Sequence, residues 1–308
     1  MKLQQLRYLV EVARNGLVIS DTAKTLFTSQ PGVSHHIREL ERELSSDVFV
    51  RRGKRIVALT RVGREVLSIA ERIIADTENL KRIAHESQQE PNGSLVIAAT
   101  HTQALYALPT AVSTFVAMYP KLHLSIRACN PLEAVSLVQR GEADICVSSE
   151  IVASARDLVM IPGDRWSRCV IARSGHPLLK ARPLSFEAIQ RYPLITHDFA
   201  FHKSSVLRKA FDQGFTPRVL LTSDNTAIIK TYVLAGLGVG LVSSLAFNGR
   251  RDRGLRILDA DHLFGPGMTA LGIRRDNYIP GYMYDLIKLL VPYADRRRVD
   301  ELRGKEAA

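Results

Sequence analysis

Between Asn15 and Leu59 the chain orders its residues in a way that few small folds accept. Leu3, Leu6, Leu9, Val10 and Ala13 recur at helical spacing, which places a first amphipathic helix ending near Asn15-Gly16. Ser20 or Asp21 can N-cap a short second helix with Ala23 and Leu26 facing inward. Thr28-Ser29-Gln30-Pro31-Gly32 then supplies a capping hydroxyl and a proline just inside a new helix. That third helix has Val33, Ile37, Leu40 and Leu44 on one face and Ser34, His35, Arg38 and Arg42 on the other. Two short helices joined by a tight turn, the second polar on its outer side, form a helix-turn-helix, whose second helix enters the DNA major groove.

The segment after the third helix strengthens this reading. Val48-Phe49-Val50 and Ile56-Val57-Ala58-Leu59 flank Arg51-Arg52-Gly53-Lys54-Arg55, the pattern of a β-hairpin with a basic tip. From Arg51 to Arg64 there are six basic residues and no acidic one. Such a wing is shaped to reach phosphates or a minor groove. The candidate DNA-facing set is therefore Ser29, Gln30, Pro31, Ser34, His35 and Arg38 on the third helix, with Arg51, Arg52 and Lys54 on the wing. Gln30 and Arg38 suit bidentate base contacts, and Ser29 and Ser34 suit phosphates or bases. The expected partner is double-stranded DNA.

Thr60 opens a long helix of about 25 residues carrying Val66, Leu67, Ile69, Ile73, Ile74, Leu80 and Ile83. Nothing nearby in sequence is expected to bury that stripe, so it should pair with a second copy and bridge two half-sites. Gln88-Gln-Glu-Pro-Asn-Gly93 reads as a hinge after this helix.

The rest of the chain has a different rhythm. Leu95–Ala99, His123–Arg127 and Ile145–Val147 alternate with helical segments, and a second set runs from Cys169–Ala172 to Leu241-Val242. Leu271–Ile273 should return to the first set. This βαβαβ pattern implies a mostly parallel α/β sheet in each half. Ligands of such sheets bind where strands end and helix N-termini offer free N–H groups. Thr100, Thr102 and Gln103 sit at such a turn with no carboxylate near in sequence, which suits a small anion. The same residues also suit a plain helix cap. Trp166, between Arg165 and Arg168, could stack on a ligand or pack between lobes.

Composition bounds the alternatives. The 308 residues carry a formal charge of +11, but residues 1–90 hold fifteen basic and twelve acidic residues, a net of +3. Most of the excess therefore lies outside the helix-turn-helix, and charge alone names no partner. Cys129, Cys146 and Cys169 include no CxxC pair, so no disulfide framework and no zinc site is expected, and a reducing compartment fits. Lys2, Arg7, Glu11 and Arg14 interrupt any signal-peptide core, and the uncharged stretches 91–120 and 231–249 are broken by Pro and Gly. A cytoplasmic location with no membrane partner is the expectation. Gly236-Leu-Gly-Val-Gly240 lacks GxGxxG spacing and lies between a helix and a strand, which argues for a tight turn. No G-x-S-x-G or other catalytic constellation stands out, so neither an enzyme nor a cofactor is expected. A transport-type binding protein built on the α/β half, or an architectural DNA-binding protein, would each leave one half of the chain unexplained.

The run from Leu3 to Ala23, with Thr28–Gly32, Leu40-Glu41, Leu44, Phe49, Arg51, Leu59-Thr60 and Gly63, resembles the LysR-type transcriptional regulators. MKLQQLRYLVEV, Ala99-Thr-His-Thr-Gln103, Tyr106–Pro109, Ile229–Val233 and Gly236–Gly240 resemble the CysB branch, which controls sulfur assimilation. The resemblance covers nearly the whole chain. It implies an α/β protein overall: a winged helix-turn-helix over 1–59, a linker helix over 60–90, and a two-lobed effector domain over 91–308 resembling periplasmic binding proteins. Lobe I would take about 91–164 and 269–300, and lobe II 165–268. The resemblance further implies a homodimer or homotetramer, contact with RNA polymerase, and a small anionic effector such as sulfate or an acetylserine. It assigns that effector to Thr100, Thr102, Gln103, Ser149 and His202. His202 stands where the branch has Thr, and an imidazole there would be bulkier. An organosulfur or sulfonate-utilisation regulator on the same scaffold is the alternative.

Overall fold

The computed structural model describes residues 1–53, 55–86, 93–150, 157–203, 205 and 208–304. The chain forms two compact units, Met1–Ser87 and Gln88–Ala308. In the first, helices α1 (Leu3–Arg14), α2 (Ile19–Thr25) and α3 (Gln30–Glu43) precede a hairpin of β1 (Phe49–Arg52) and β2 (Arg55–Leu59), and α4 spans Arg61–Glu86. Their core joins Leu9, Val12, Val33, Ile37, Leu40, Val48 and Phe49. Ser29 caps α3 by accepting from Gly32 N at 3.2 Å, with Pro31 in the first turn. Thr60 closes the wing onto α4, donating to the Asp47 carbonyl at 2.7 Å and accepting from Gly63 N at 2.8 Å. A Cβ at Gly63 would lie 2.0 Å from the Val48 carbonyl oxygen, so only glycine fits there.

Three expectations for this unit change. Helix α2 begins at Ile19 behind Val18, so Ser20 and Asp21 lie in its first turn, where Asp21 favours the helix dipole without capping. Leu3 is exposed, and Tyr8 and Val12 take its place in the core. The long stripe of α4 is not bare. Ala70 is buried and Val66, Leu67, Ile73 and Ile74 pack against the core that α1 helps build, leaving Ile69, Leu80 and Ile83 exposed. Helix α1 lies some fifty residues earlier, so the cover is invisible to a local reading.

The second unit holds two five-stranded sheets. Strands β3 (Gly93–Thr100), β4 (Leu122–Cys129), β5 (Ile145–Ser148), β6 (Leu158–Trp166) and β12 (Gly267–Arg274) form one, in the order β4-β3-β5-β12-β6. The other contains β7 (Arg168–Arg173), β8 (Leu194–Thr196), β9 (Val219–Thr222), β10 (Val239–Ser243) and β11 (Leu255–Asp259), in the order β11-β7-β10-β8-β9. Both are mixed: β3 pairs in parallel with β4 and β5, and β12 runs antiparallel to β5 and β6. Strand β6 departs from the expected pattern, because Pro162-Gly163-Asp164 masks it; it is an edge strand, where a missing N–H is tolerated.

Helix α5 (Leu108–Met118) continues a helix that starts at His101 and is π-wound over Gln103–Ala107. Helices α6 (Pro131–Gln139), α7 (Phe186–Gln190), α8 (Arg208–Asp212), α9 (Thr226–Leu234), α10 (Asp261–Phe264), α11 (Gly281–Leu290) and α12 (Arg296–Leu302) complete the unit. Gly236 ends α9 with a φ of +85°, and β10 follows, so the glycine run is a helix-to-strand turn. The hinge expected at 88–93 lies, except for Gly93, outside the described residues. Among the described residues no helix is long and apolar enough to cross a membrane.

Candidate nucleic-acid interface and ligand cleft

Helix α3 turns Val33, Ile37 and Leu40 into the core, which obliges the opposite face to point outward. Gln30, Pro31, His35 and Arg38 are exposed on that face, with Ser29 at its start, and Ser34 is half-buried. His36 instead packs on Tyr8, its ring centroid 4.5 Å away. No metal-binding group involving it or any other described residue is present.

The wing is less simple than its charge run. Arg52 and Arg55 pair at the hairpin tip and are exposed, and Lys54 lies outside the described residues. Arg51 is not free to reach a phosphate. Its guanidinium forms a two-pronged pair with Glu41, Nη2 to Oε2 at 2.6 Å and Nη1 to Oε1 at 3.1 Å. The same buried Glu41 accepts from Val48 N at 2.9 Å and Phe49 N at 3.1 Å. Arg51 and Glu41 thus bolt the wing to α3, a charge-assisted arrangement of high directionality. Glu41 carried no signal beyond its place in the family pattern.

In the second unit a cleft of about 640 Å³, including its open mouth, lies between the two sheets. Thr100, Thr102, Ser149, Trp166, Arg168 and His197 are among the residues on its walls. The helix from His101 and helix α6, capped by Asn130, both present their N-termini here. The Thr100 hydroxyl is buried with no partner among the described residues, an arrangement that disfavours the empty cleft and suits a bound acceptor. The Thr102 hydroxyl is 3.0 Å from that of Thr226, which lies 3.2 Å from His197 Nε2. His197 Nδ1 is 3.1 Å from the Ser223 carbonyl and must be the donor, so Nε2 is the acceptor end of the chain. Burial pushes the His197 pKa down to about 4, which keeps the ring neutral.

Gln103 is fully buried, and neither end of its amide has a partner among the described residues; it faces a second cavity next to the cleft, separated by Trp166. His202 does not line the cleft. It is half-buried after the 3₁₀ turn of Asp198–Phe201, its ring stacked on Phe199 with centroids 5.4 Å apart. Phe199 and the buried Ser205 supply that wall instead.

The absence of carboxylates inferred around Thr100 is corrected by the tertiary structure. Glu150 and Asp224, from distant loops, line the cleft. Arg168, 3% exposed, pairs with Glu150 at 3.1 Å and donates to the Gly265 carbonyl at 2.7 Å. Its charge is therefore largely offset. Burial, then the nearby Asp198, raises the Asp224 pKa. Trp166 lies beneath Arg168, the guanidinium carbon 5.0 Å from the ring centroid. Cys129, Cys146 and Cys169 are buried free thiols, with pKa values pushed up by burial to about 11, 12 and 12. They are inert positions.

Comparison with known proteins matches this division. Residues 3–64 match the family model for bacterial regulatory helix-turn-helix proteins of the lysR family, and residues 88–295 match the LysR substrate binding domain. The chain is 39% identical over 308 residues to the HTH-type transcriptional regulator CysB of Burkholderia cenocepacia, covering 100% of this chain and 98% of that protein. It is 40% identical over 300 residues to the regulator SsuR of the same species, covering 97% of each. The solved cofactor-binding domain of the Cbl transcriptional regulator superposes with a TM-score of 0.63 at 33% identity, covering 68% of this chain and 92% of that one.

Proposed function

The chain belongs to the LysR family of DNA-binding transcriptional regulators, and we propose that it controls sulfur assimilation genes in response to a small anionic or sulfur-related effector held in the cleft. Likeness to the regulators named CysB, SsuR and Cbl supports the sulfur assignment. The observation that carries the ligand reading is the Thr100 hydroxyl, buried at a helix N-terminus between two lobes with no partner among the described residues. Thr102 and Ser149 face the same space, and Gln103 and His202 act from behind its walls. On DNA, Gln30 and Arg38 read bases, Ser29, Pro31, Ser34 and His35 set the fit of α3, and Arg52 and Lys54 anchor the wing. Ile69, Leu80 and Ile83 form the residual stripe through which α4 meets a second copy in a homodimer or homotetramer. RNA polymerase is the further partner.

Calorimetric titration of the whole chain with sulfate, thiosulfate, O-acetylserine and N-acetylserine tests this reading. Binding of one of them, lost in Thr100→Ala, is the expected result. The alternative, a regulator of sulfonate use, is favoured by one observation: Glu150 offsets Arg168 and Asp224 adds a carboxylate, which disfavours a small dianion. Binding of an alkanesulfonate and none of the four ligands would select it.

A further inference from the structure

Among the described residues, three of fixed charge stand on the walls of the cleft, and two of them cancel. Arg168 is held by Glu150 at 3.1 Å and by the Gly265 carbonyl at 2.7 Å. The third is Asp224, half-buried in the loop between β9 and α9. No ion pair or hydrogen bond reaches its carboxylate among the described residues. Burial, Asp198 and Glu133 raise its pKa, opposed by His101, so its charge is held against its surroundings. A half-buried carboxylate in this state costs free energy that a cation in contact with it would offset. The described residues offer no cluster of ligands for a metal ion, which leaves an organic ammonium as the fitting cation.

The complementary need lies on the other wall. The Thr100 hydroxyl, on a residue 6% exposed, has no partner among the described residues and sits where the helix from His101 begins. A helix start favours an acceptor of negative charge. Thr102, two residues after Thr100, bonds at 3.0 Å to Thr226, two residues after Asp224. That contact between the lobes brings the hydroxyl and the carboxylate to facing walls of the same cleft. A simple dianion would satisfy Thr100 and leave Asp224 repelled, whereas a ligand with both an acidic group and an ammonium meets both. We propose that the cleft selects a small zwitterion, its acidic group seated at Thr100 and its ammonium paired with Asp224. An O-acylated amino acid or an aminoalkanesulfonate has this chemistry. The proposal rests on the effector reading of the cleft and makes Asp224 the residue that determines specificity.

The test is calorimetric titration of the full chain at mildly acidic pH, where amines are protonated and an acetyl group stays on oxygen. Two pairs are compared, O-acetylserine with N-acetylserine and taurine with isethionate, and sulfate is titrated beside them. In at least one pair the ammonium member should bind about tenfold tighter or more, the worth of one hydrogen bond to a charged group. Asp224→Asn should remove that preference by weakening the ammonium member alone, and Asp224→Glu, which keeps the charge, should retain it in part. Thr100→Ala should weaken both members. Thermal unfolding should find Asp224→Asn at least as stable as the wild type, since a carboxylate without a partner is removed. Equal or reversed binding within both pairs, or a preference that survives Asp224→Asn, overturns the proposal and leaves the effector reading standing. Binding of sulfate alone does the same. Binding of none of these ligands overturns the effector reading and the proposal with it.

Discussion

The helix-turn-helix unit and the cleft of the second unit use the same polar residue types under opposite conditions. Gln30 and Arg38 stand in water on the outside of a core they do not disturb, where an unpaired amide or guanidinium is hydrated. Gln103 and Arg168 are buried, where each polar atom must find a partner or wait for one. On the outer face, function adds little to the energetics of folding, so recognition residues can follow directly on a helical pattern. In the cleft, binding and stability act on the same atoms. Arg168 is satisfied by Glu150 and the Gly265 carbonyl, whereas the Thr100 hydroxyl in the cleft and the Gln103 amide at the neighbouring cavity have no partner among the described residues.

That contrast can be broken at its strongest point first. Glu41 belongs to the N-terminal unit but is buried like a cleft residue. Glu41→Ala should lower stability by about 3 kcal/mol, because it strands Arg51 and two backbone N–H groups. Denaturant unfolding monitored on the N-terminal unit reads this, and a loss below 1 kcal/mol would mean that the bolt holds nothing. Next, Thr100→Val should abolish effector binding by tenfold or more while stabilising the ligand-free chain by up to about 1 kcal/mol, since an unsatisfied hydroxyl is removed. A destabilised Thr100→Val would show that the hydroxyl serves the fold.

The pH response sharpens the comparison from the cleft side. The folded pKa of His197 lies near 4, below its ordinary value of 6.5, so the unfolded chain takes up a proton first as pH falls. Its contribution is complete above about pH 6.5 and is lost on acidification, by on the order of 1 kcal/mol per pH unit until the folded ring titrates. His197→Gln should flatten thermal stability over that window; an unchanged profile would assign the pH dependence to other groups. The smallest effect belongs to the exposed wing. Arg52→Ala should leave stability within about 0.5 kcal/mol of wild type and reduce the salt slope of DNA binding by about one unit. An equal loss of slope in Arg51→Ala would contradict the pairing of Arg51 with Glu41.

The legibility of the two units differs for the same reason. The capping of α3 by Ser29, the inward face of Val33, Ile37 and Leu40, and the basic hairpin depend on residues a few positions apart, so spacing alone reveals them. The inward turn of Arg51 depends on Glu41 ten residues earlier, and charge counting missed it. The stripe on α4 looked bare because its cover, α1, lies far upstream. In the second unit the strand-helix alternation was readable, and Thr100 and Thr102 announced a strand-to-helix turn. Glu150, Arg168, His197 and Asp224 carried no local mark that they would meet.

By itself the sequence determined the helical and strand periodicities, the cap and turn chemistry, and which face of α3 would look outward. These properties arise from contacts within one turn of helix or one hairpin, where covalent spacing is nearly the whole geometry. Only the tertiary structure decided which charges are spent on structure, which stripe is covered and which residues line the cleft. Those outcomes depend on sheet order, and the order β4-β3-β5-β12-β6 places β12 between β5 and β6, strands more than a hundred residues earlier in the chain.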